Sequence, residues 1–121
     1  MKKEDTDNIK SQMRKGILEL CVLRILEGEG EAYPSDIIKT LNAAKLLVVE
    51  GTIYTLLNRL RREGKLDYRW QESKQGPPRK YFFLTGHGLE TLKALNNAWE
   101  EIQLTVNYCA NQKIQENEKD I

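Results

Sequence analysis

The sequence is short of the residues that build metal centres, disulfides and membrane spans. Its 121 residues include a single histidine, His87, and two cysteines, Cys21 and Cys109, far apart and outside any CxxC pair. We therefore expect buried, reduced thiols and no disulfide or metal site. No apolar run approaches the roughly 18 residues of a membrane helix. The lysine-containing start has no apolar stretch behind it, as a signal peptide would. These absences predict a cytoplasmic protein with no membrane partner and no cofactor.

The patterns that carry catalysis are also missing. There is no Gly-rich phosphate loop, no Ser-His-Asp or Cys-His arrangement in a recognisable context, and no cluster with metal-ligand spacing. Carboxylates such as Glu100 and Glu101 fit the solvated faces of helices. The length is that of one domain, and the 40% hydrophobic and 31% charged composition is typical of a soluble globular protein. We therefore predict that the protein is not an enzyme.

Charge is unevenly distributed, although the formal net charge is only +1. Residues 59–80 carry eight basic and three acidic side chains, a net charge of +5, whereas residues 1–58 and 81–121 carry −1 and −3. A basic segment in an otherwise neutral or acidic chain is typical of a surface that meets phosphates.

Apolar periodicity and end signals predict four helices. They are expected over residues 12–27, 34–45, 52–63 and 86–111. Gly28 and Gly30 would stop the first helix, and Pro34 suits the first turn of the second. Gly64 would end the third in a left-handed conformation, and Thr85 would cap the fourth.

A β-hairpin is predicted between the third and fourth helices. Leu66, Tyr68 and Trp70 alternate with polar residues, as in a half-buried strand. Residues 73–78 are expected to form the turn and residues 80–84 the return strand, while residues 31–33 could add one short strand. The polar ends, residues 1–10 and 112–121, are expected to be frayed and disordered, respectively.

The third predicted helix has the composition of a DNA-reading helix. Ile53, Leu56, Leu57 and Leu60 form its apolar stripe, and short polar side chains and arginines cover the rest. Such side chains suit base edges and phosphates. The alternative is an ordinary amphipathic helix with a solvated basic face. A basic hairpin after the helix favours DNA contact, for which the candidate residues are Thr52, Tyr54, Thr55, Asn58, Arg59, Arg62, Arg79 and Lys80.

The last predicted helix has an apolar seam that continues over most of its length. Its seam residues, separated by three and four positions, are Leu92, Leu95, Trp99, Ile102, Val106 and Cys109. Leu18 and Val22 lie on the first predicted helix, which is apolar on more than one side. We expect a homodimer formed by Leu18, Val22, Leu92, Leu95, Trp99, Ile102 and Val106. The alternative is that the seam folds back onto its own core.

The order of these elements defines the fold class as α+β, mainly α: a winged helix-turn-helix with a long C-terminal dimerisation helix. Residues 1–85 would form the DNA-binding region, residues 86–111 the dimerisation helix and residues 112–121 a disordered tail. The predicted function is sequence-specific, DNA-binding transcriptional regulation with double-stranded DNA as partner. The alternative is a winged-helix protein–protein interaction module that does not bind DNA.

Several ordered motifs resemble one bacterial family. Gly51-Thr52-Ile53-Tyr54, Glu63-Gly64-Lys65-Leu66, Gly76-Pro77-Pro78-Arg79-Lys80-Tyr81 and Leu84-Thr85 are similar to motifs of short PadR family transcriptional regulators, which have a single C-terminal dimerisation helix. The resemblance covers roughly residues 12–110. It implies a winged-helix dimer that usually represses transcription and is often released from DNA by a small ligand.

The resemblance also implies a ligand site. In multidrug-sensing members of the family, a tryptophan at the place of Trp99 stacks on planar aromatic molecules. Asn96 lies one helical turn before Trp99 and could meet polar atoms of such a ligand. The alternative is that Trp99 and its counterpart simply fill the dimer core.

Overall fold

The computed structural model describes residues 1–114. They form five helices and a two-stranded antiparallel sheet, in the order α1 (Lys3–Arg14), α2 (Leu18–Glu29), α3 (Pro34–Ala43), α4 (Glu50–Arg62), β1 (Leu66–Ser73), β2 (Gly76–Leu84) and α5 (Gly86–Asn111). This is a winged helix-turn-helix with a long C-terminal helix, as the sequence predicted. No helix among residues 1–114 is long and apolar enough to span a bilayer.

The start of the chain differs from the prediction. Residues 3–14 form α1 where a frayed end was expected, and a turn at residues 15–17 separates it from α2. The single predicted helix over residues 12–27 was therefore wrong. Gly16 lies in the turn, where glycine's low helix propensity favours a break. Because α1 buries none of its residues, it has no apolar period to reveal it, although Glu4 and Asp5 in its first turn suit the helix dipole.

A single apolar core joins α2, α3, α4 and the sheet. The predicted stripe of α4 (Ile53, Leu56, Leu57 and Leu60) is buried, and it packs with core residues of the other elements, which include Val22, Leu23, Leu26, Ile37, Leu41, Leu66, Phe82 and Leu92. Burial of each such side chain is worth about 1.5–3 kcal/mol relative to exposure. The stripe therefore fixes which face of α4 remains in solvent.

The hairpin formed by β1, β2 and the turn between them, which we call the wing, has a tighter turn than predicted. Residues 74 and 75 form the turn, and Pro77 and Pro78 belong to β2. The fixed φ of proline is compatible with an extended chain where no ladder bond needs its N–H. The predicted strand at residues 31–33 is reduced to one bridge, in which Ala32 and Phe82 exchange backbone hydrogen bonds of 3.0 and 2.9 Å.

α5 covers the predicted residues, and among residues 1–114 only its first half packs against the other elements. Thr85 Oγ1 accepts a hydrogen bond from the Gly88 N–H at 3.0 Å, which confirms the predicted cap, and Gly64 has the predicted left-handed conformation with φ +77°. Gly88 and Leu92 are buried, whereas residues 100–111 are all exposed. Residues 112–114 are non-helical, and the remainder of the predicted disordered tail lies outside the described residues.

Candidate nucleic-acid interface

Helix α4 presents three lines of side chains to solvent. Its outer face, opposite the buried stripe, follows a spacing of four, three and four residues and consists of Gly51, Thr55, Asn58 and Arg62. Thr52 and Arg59 flank this face on the side of α2 and Leu95, and Tyr54 flanks it on the side of the wing. The predicted DNA-contacting residues of α4 therefore surround one exposed face but point in three directions.

Arg59 is engaged within the protein. Its guanidinium donates to Glu19 Oε1 of α2 at 2.7 Å and to the Glu63 carboxylate at 3.1 Å. These hydrogen bonds, that to Glu19 first, raise the pKa of Arg59 above its ordinary value. To reach a base or a phosphate, Arg59 would have to exchange Glu19 for the new partner.

Ion pairing divides the basic segment into two groups. Four of its cations are paired with carboxylates: Arg59 with Glu19 and Glu63, Arg61 with Asp67, Lys65 with Glu63, and Arg69 with Glu31. Within residues 1–114, no ion pair includes the other four cations, Arg62, Lys74, Arg79 and Lys80. The latter lie at the end of the outer face of α4 and on the wing, so the positive charge available to a partner is concentrated there.

An open groove separates the wing from α3 and α4. It has a volume of about 440 Å³ and combines aromatic rings with cations and neutral polar groups; its lining includes Tyr33, Ser35, Tyr54, Asn58, Trp70, Arg79 and Lys80. The groove thus brings together four of the predicted residues, two from α4 and two from the wing. A concave surface with this chemistry suits a phosphodiester backbone.

Arg79 and Lys80 lie on opposite faces of β2, because successive side chains of a strand alternate. Lys80 Nζ is 4.4 Å from the ring centroid of Tyr68 and 5.2 Å from that of Trp70. Arg79 Cζ is 5.1 Å from the ring centroid of Tyr33, which stacks on Tyr81 at 3.8 Å. Aromatic rings therefore orient both cations.

Tyr33 and Trp70 are site residues that the sequence analysis missed. Trp70 was assigned to the buried side of a strand, yet its exposed fraction is 59%. The strand is longer than the core beneath it, so Leu66 at its start is buried and Trp70 further out is not. The available signal was the position of Trp70 near the turn, beside the basic residues.

The predicted dimer and ligand residues do not form one free surface. Val22 and Leu92 have exposed fractions of 0% and 1% within the single chain, so they have no surface to give to a partner. Leu18, Leu95 and Trp99 are half-buried against the core; Ile102 and Val106 are exposed. Asn96 Oδ1 accepts a hydrogen bond from Arg24 Nε at 2.8 Å, which ties α5 to α2.

Both cysteines are free thiols, and their predicted burial is met only in part. Cys21 is half-buried, and this burial raises the pKa of its thiol. Cys109 is exposed, like every other residue in the last turns of α5, so its predicted burial was wrong. In the described part of the chain, no group of three or more His, Cys, Asp or Glu side chains could hold a metal ion.

The sequence and the fold of this chain are both similar to those of known proteins. Residues 22–94 match the model of the transcriptional regulator PadR-like family. A PadR-like transcription factor from Bacteroides fragilis is 54% identical over 84% of this chain and 98% of its own, with a TM-score of 0.71. A PadR-like transcriptional regulator from Bacillus cereus is 37% identical over 84% and 99%, with a TM-score of 0.74.

The fold is also shared with a more distant relative. A PadR family transcriptional regulator from Eggerthella lenta is 25% identical over 91% of this chain and 96% of its own, with a TM-score of 0.81. A search of curated proteins gives no significant match. The family model and the identity to the Bacteroides fragilis factor together establish that this chain belongs to the PadR-like family of transcriptional regulators.

Proposed function

We propose that this DNA-binding transcriptional regulator is a dimeric repressor that leaves its operator when a small ligand binds. Two of the cations without an ion pair, Arg79 and Lys80, support the proposal for DNA contact, because they line the groove between the wing and α4. Because the proposed partner is chromosomal DNA, the proposed location is the cytoplasm. Membership of the family supports the regulatory role, and the geometry supports the choice of contact residues.

The proposed contacts divide between base reading and backbone binding. Thr55 and Asn58 of the outer face would enter the major groove, where an asparagine can pair with adenine. Arg62, Arg79 and Lys80 would bind phosphates. Ser35 and Tyr54 line the protein groove beside the wing, and their hydroxyl groups can donate hydrogen bonds to the DNA backbone.

Arg59 and Thr52 are assigned more restricted roles. The Glu19 carboxylate occupies the Arg59 guanidinium, so Arg59 would contact DNA only where a phosphate displaces that carboxylate. Thr52 lies beside Arg59 on the α2 side of α4 and would contact the DNA strand that passes that side of the helix.

The test compares Asn58→Ala with Lys93→Ala, which removes a charge from the exposed surface of α5. Wild-type protein is first used to select duplexes from random sequence, and fluorescence anisotropy then measures affinity for selected and unrelated DNA. Asn58→Ala should lose about 1–3 kcal/mol of preference for the selected duplex and keep its affinity for unrelated DNA. Lys93→Ala should behave as wild type. Failure of the wild type to bind any duplex at low salt would favour a protein-docking module instead.

Dimerisation is proposed from the unpartnered end of α5. Residues 100–111 are all exposed, and they include four large apolar side chains, Ile102, Leu104, Val106 and Tyr108. A helical end without tertiary cover is marginal in water. A second copy of α5 packed on the face that contains Ile102 and Val106 would cover these two side chains and bring two copies of α4 to two half-sites.

The ligand site is proposed beside Trp99, where α5 leaves the core. Trp99 is half-buried, so part of its indole remains available to a planar aromatic molecule. Asn96 could bind the polar atoms of such a ligand only after releasing Arg24. Binding beside Trp99 would loosen the contact between α2 and α5. The DNA-binding elements would then move relative to the dimer interface on α5.

A further inference from the structure

The end of α4 and the start of α5 meet at one threonine. Thr85 Oγ1 donates a hydrogen bond to the Gly64 carbonyl at 2.6 Å and accepts one from the Gly88 N–H at 3.0 Å. The Thr85 N–H donates to the Lys65 carbonyl at 3.1 Å. A single residue therefore bonds to two residues of the connection between α4 and β1, and to the first turn of α5.

The two carbonyls that Thr85 binds are themselves fixed to α4. The Lys65 N–H donates to the Leu60 carbonyl and the Gly64 N–H to the Arg61 carbonyl, both at 2.9 Å. This pair of bonds, with Gly64 in the left-handed conformation, is a Schellman motif. The position of Thr85 is consequently defined relative to the axis of α4.

Close backbone contact removes the remaining freedom at this junction. A Cβ atom on Gly88 would lie 2.0 Å from the Lys65 carbonyl oxygen and 3.1 Å from Leu84 Cδ2, so α5 touches the chain after α4 directly. The first pair of the wing, Leu66 with Leu84, closes at the same place. Rotation of α5 about its first turn would break hydrogen bonds or create a clash.

The geometry points to Thr85 as a positioning residue that sets the angle between α4 and α5. In the proposed dimer it thereby sets the separation of the two α4 helices, and with it the spacing of the DNA half-sites. This inference rests on the proposed dimeric DNA binding. Along α5, Val106 is about 32 Å from Thr85, so a rotation of about 6° at Thr85 would move it by about 3.4 Å, the rise of one base pair.

Three substitutions separate positioning from helix capping. Thr85→Ser keeps the hydroxyl and all of its bonds. Thr85→Asp keeps an acceptor for the Gly88 N–H, and aspartate is a good N-cap, but a carboxylate cannot donate to the Gly64 carbonyl. Thr85→Val has the shape of threonine without either side-chain bond.

The experiment measures how the affinity for DNA depends on the spacing between the two half-sites. Duplexes selected from random sequence by the wild-type protein are lengthened or shortened at their centre by one base pair at a time, and single half-site duplexes are included. Wild type and Thr85→Ser should lose at least tenfold in affinity when the spacing changes by one base pair. Thr85→Asp and Thr85→Val should lose less than threefold, with unchanged affinity for the single half-site.

Each other outcome overturns the inference. If Thr85→Asp keeps the wild-type spacing preference, Thr85 only caps α5. If both variants lose affinity equally for half-sites and full sites, or if neither folds while Thr85→Ser does, its role is stability alone. A wild-type protein that selects no paired half-sites would instead contradict the proposed dimeric binding itself.

Discussion

Replacing Gly88 by alanine tests the contact between the first turn of α5 and Lys65, the third residue after α4. The new Cβ would lie 2.0 Å from the Lys65 carbonyl oxygen, whereas ordinary contacts of this kind begin near 3.4 Å. The carbonyl or the helix must therefore move by about 1 Å or more. The same carbonyl accepts the Thr85 N–H, so this movement also weakens a hydrogen bond.

The expected loss of stability follows from these two effects. Overpacking of this kind costs about 1–3 kcal/mol and a weakened hydrogen bond about 1 kcal/mol, so we expect a loss of about 3 kcal/mol in the free energy of unfolding. For a chain of this length the unfolding entropy is about 0.25 kcal/mol per degree, which gives a fall in Tm of about 12 °C.

Gly86→Ala is the matched control, since it lies in the same helical turn and its Cβ would meet nothing within 4 Å. Alanine there should leave Tm unchanged or raise it, because alanine favours helix over glycine. The assay is thermal unfolding by circular dichroism at equal protein concentrations, because the melting temperature of the proposed dimer would depend on concentration. A Gly88→Ala protein that melts within about 2 °C of Gly86→Ala would refute the argument, because the junction would then be able to relax at little cost.

Three further predictions concern the wing, the dimer and the ligand. The double variant Arg79→Ala, Lys80→Ala should bind all duplexes more weakly and reduce the slope of log affinity against log salt by about one unit per lost phosphate contact; an unchanged slope would show that the wing points away from DNA. Ile102→Glu should give a monomer in light scattering, because burying an unpaired charge in the dimer interface costs several kcal/mol. The control Asn107→Glu adds the same charge beside the apolar stripe and should remain dimeric. A planar cationic dye should quench the fluorescence of wild type but not of a Trp99→Phe variant; quenching that survives the substitution would place the dye elsewhere.

The sequence predicted the elements whose signals are local. Helices α4 and α5 combine an apolar stripe with end residues, Gly64 and Thr85, that act within a few positions, so their bounds agree with the prediction to within two residues. The start of the chain was mispredicted because α1 buries nothing and leaves no apolar period.

Which candidate residues are available could not be predicted, since that depends on contacts between distant parts of the chain. Arg59 meets Glu19, forty positions earlier in the sequence. Val22 looked available because α2 is apolar on several sides, but the chain itself covers it. Local composition therefore located the basic surface, and only the fold distinguished its paired cations from its unpaired ones.

The position of Pro78 on the wing has a consequence for how copies of this protein coexist at high concentration. Phe82 directs its N–H and carbonyl towards Ala32, away from β1, and residues two and four positions earlier in β2 direct theirs the same way. Pro78 occupies such a position without an N–H, so the outer edge of β2 keeps the Lys80 donor beyond Ala32 but lacks the next one. Strand addition by a neighbouring molecule needs that donor row. On the β2 side, the tip of the wing is therefore a poor template for edge-to-edge aggregation.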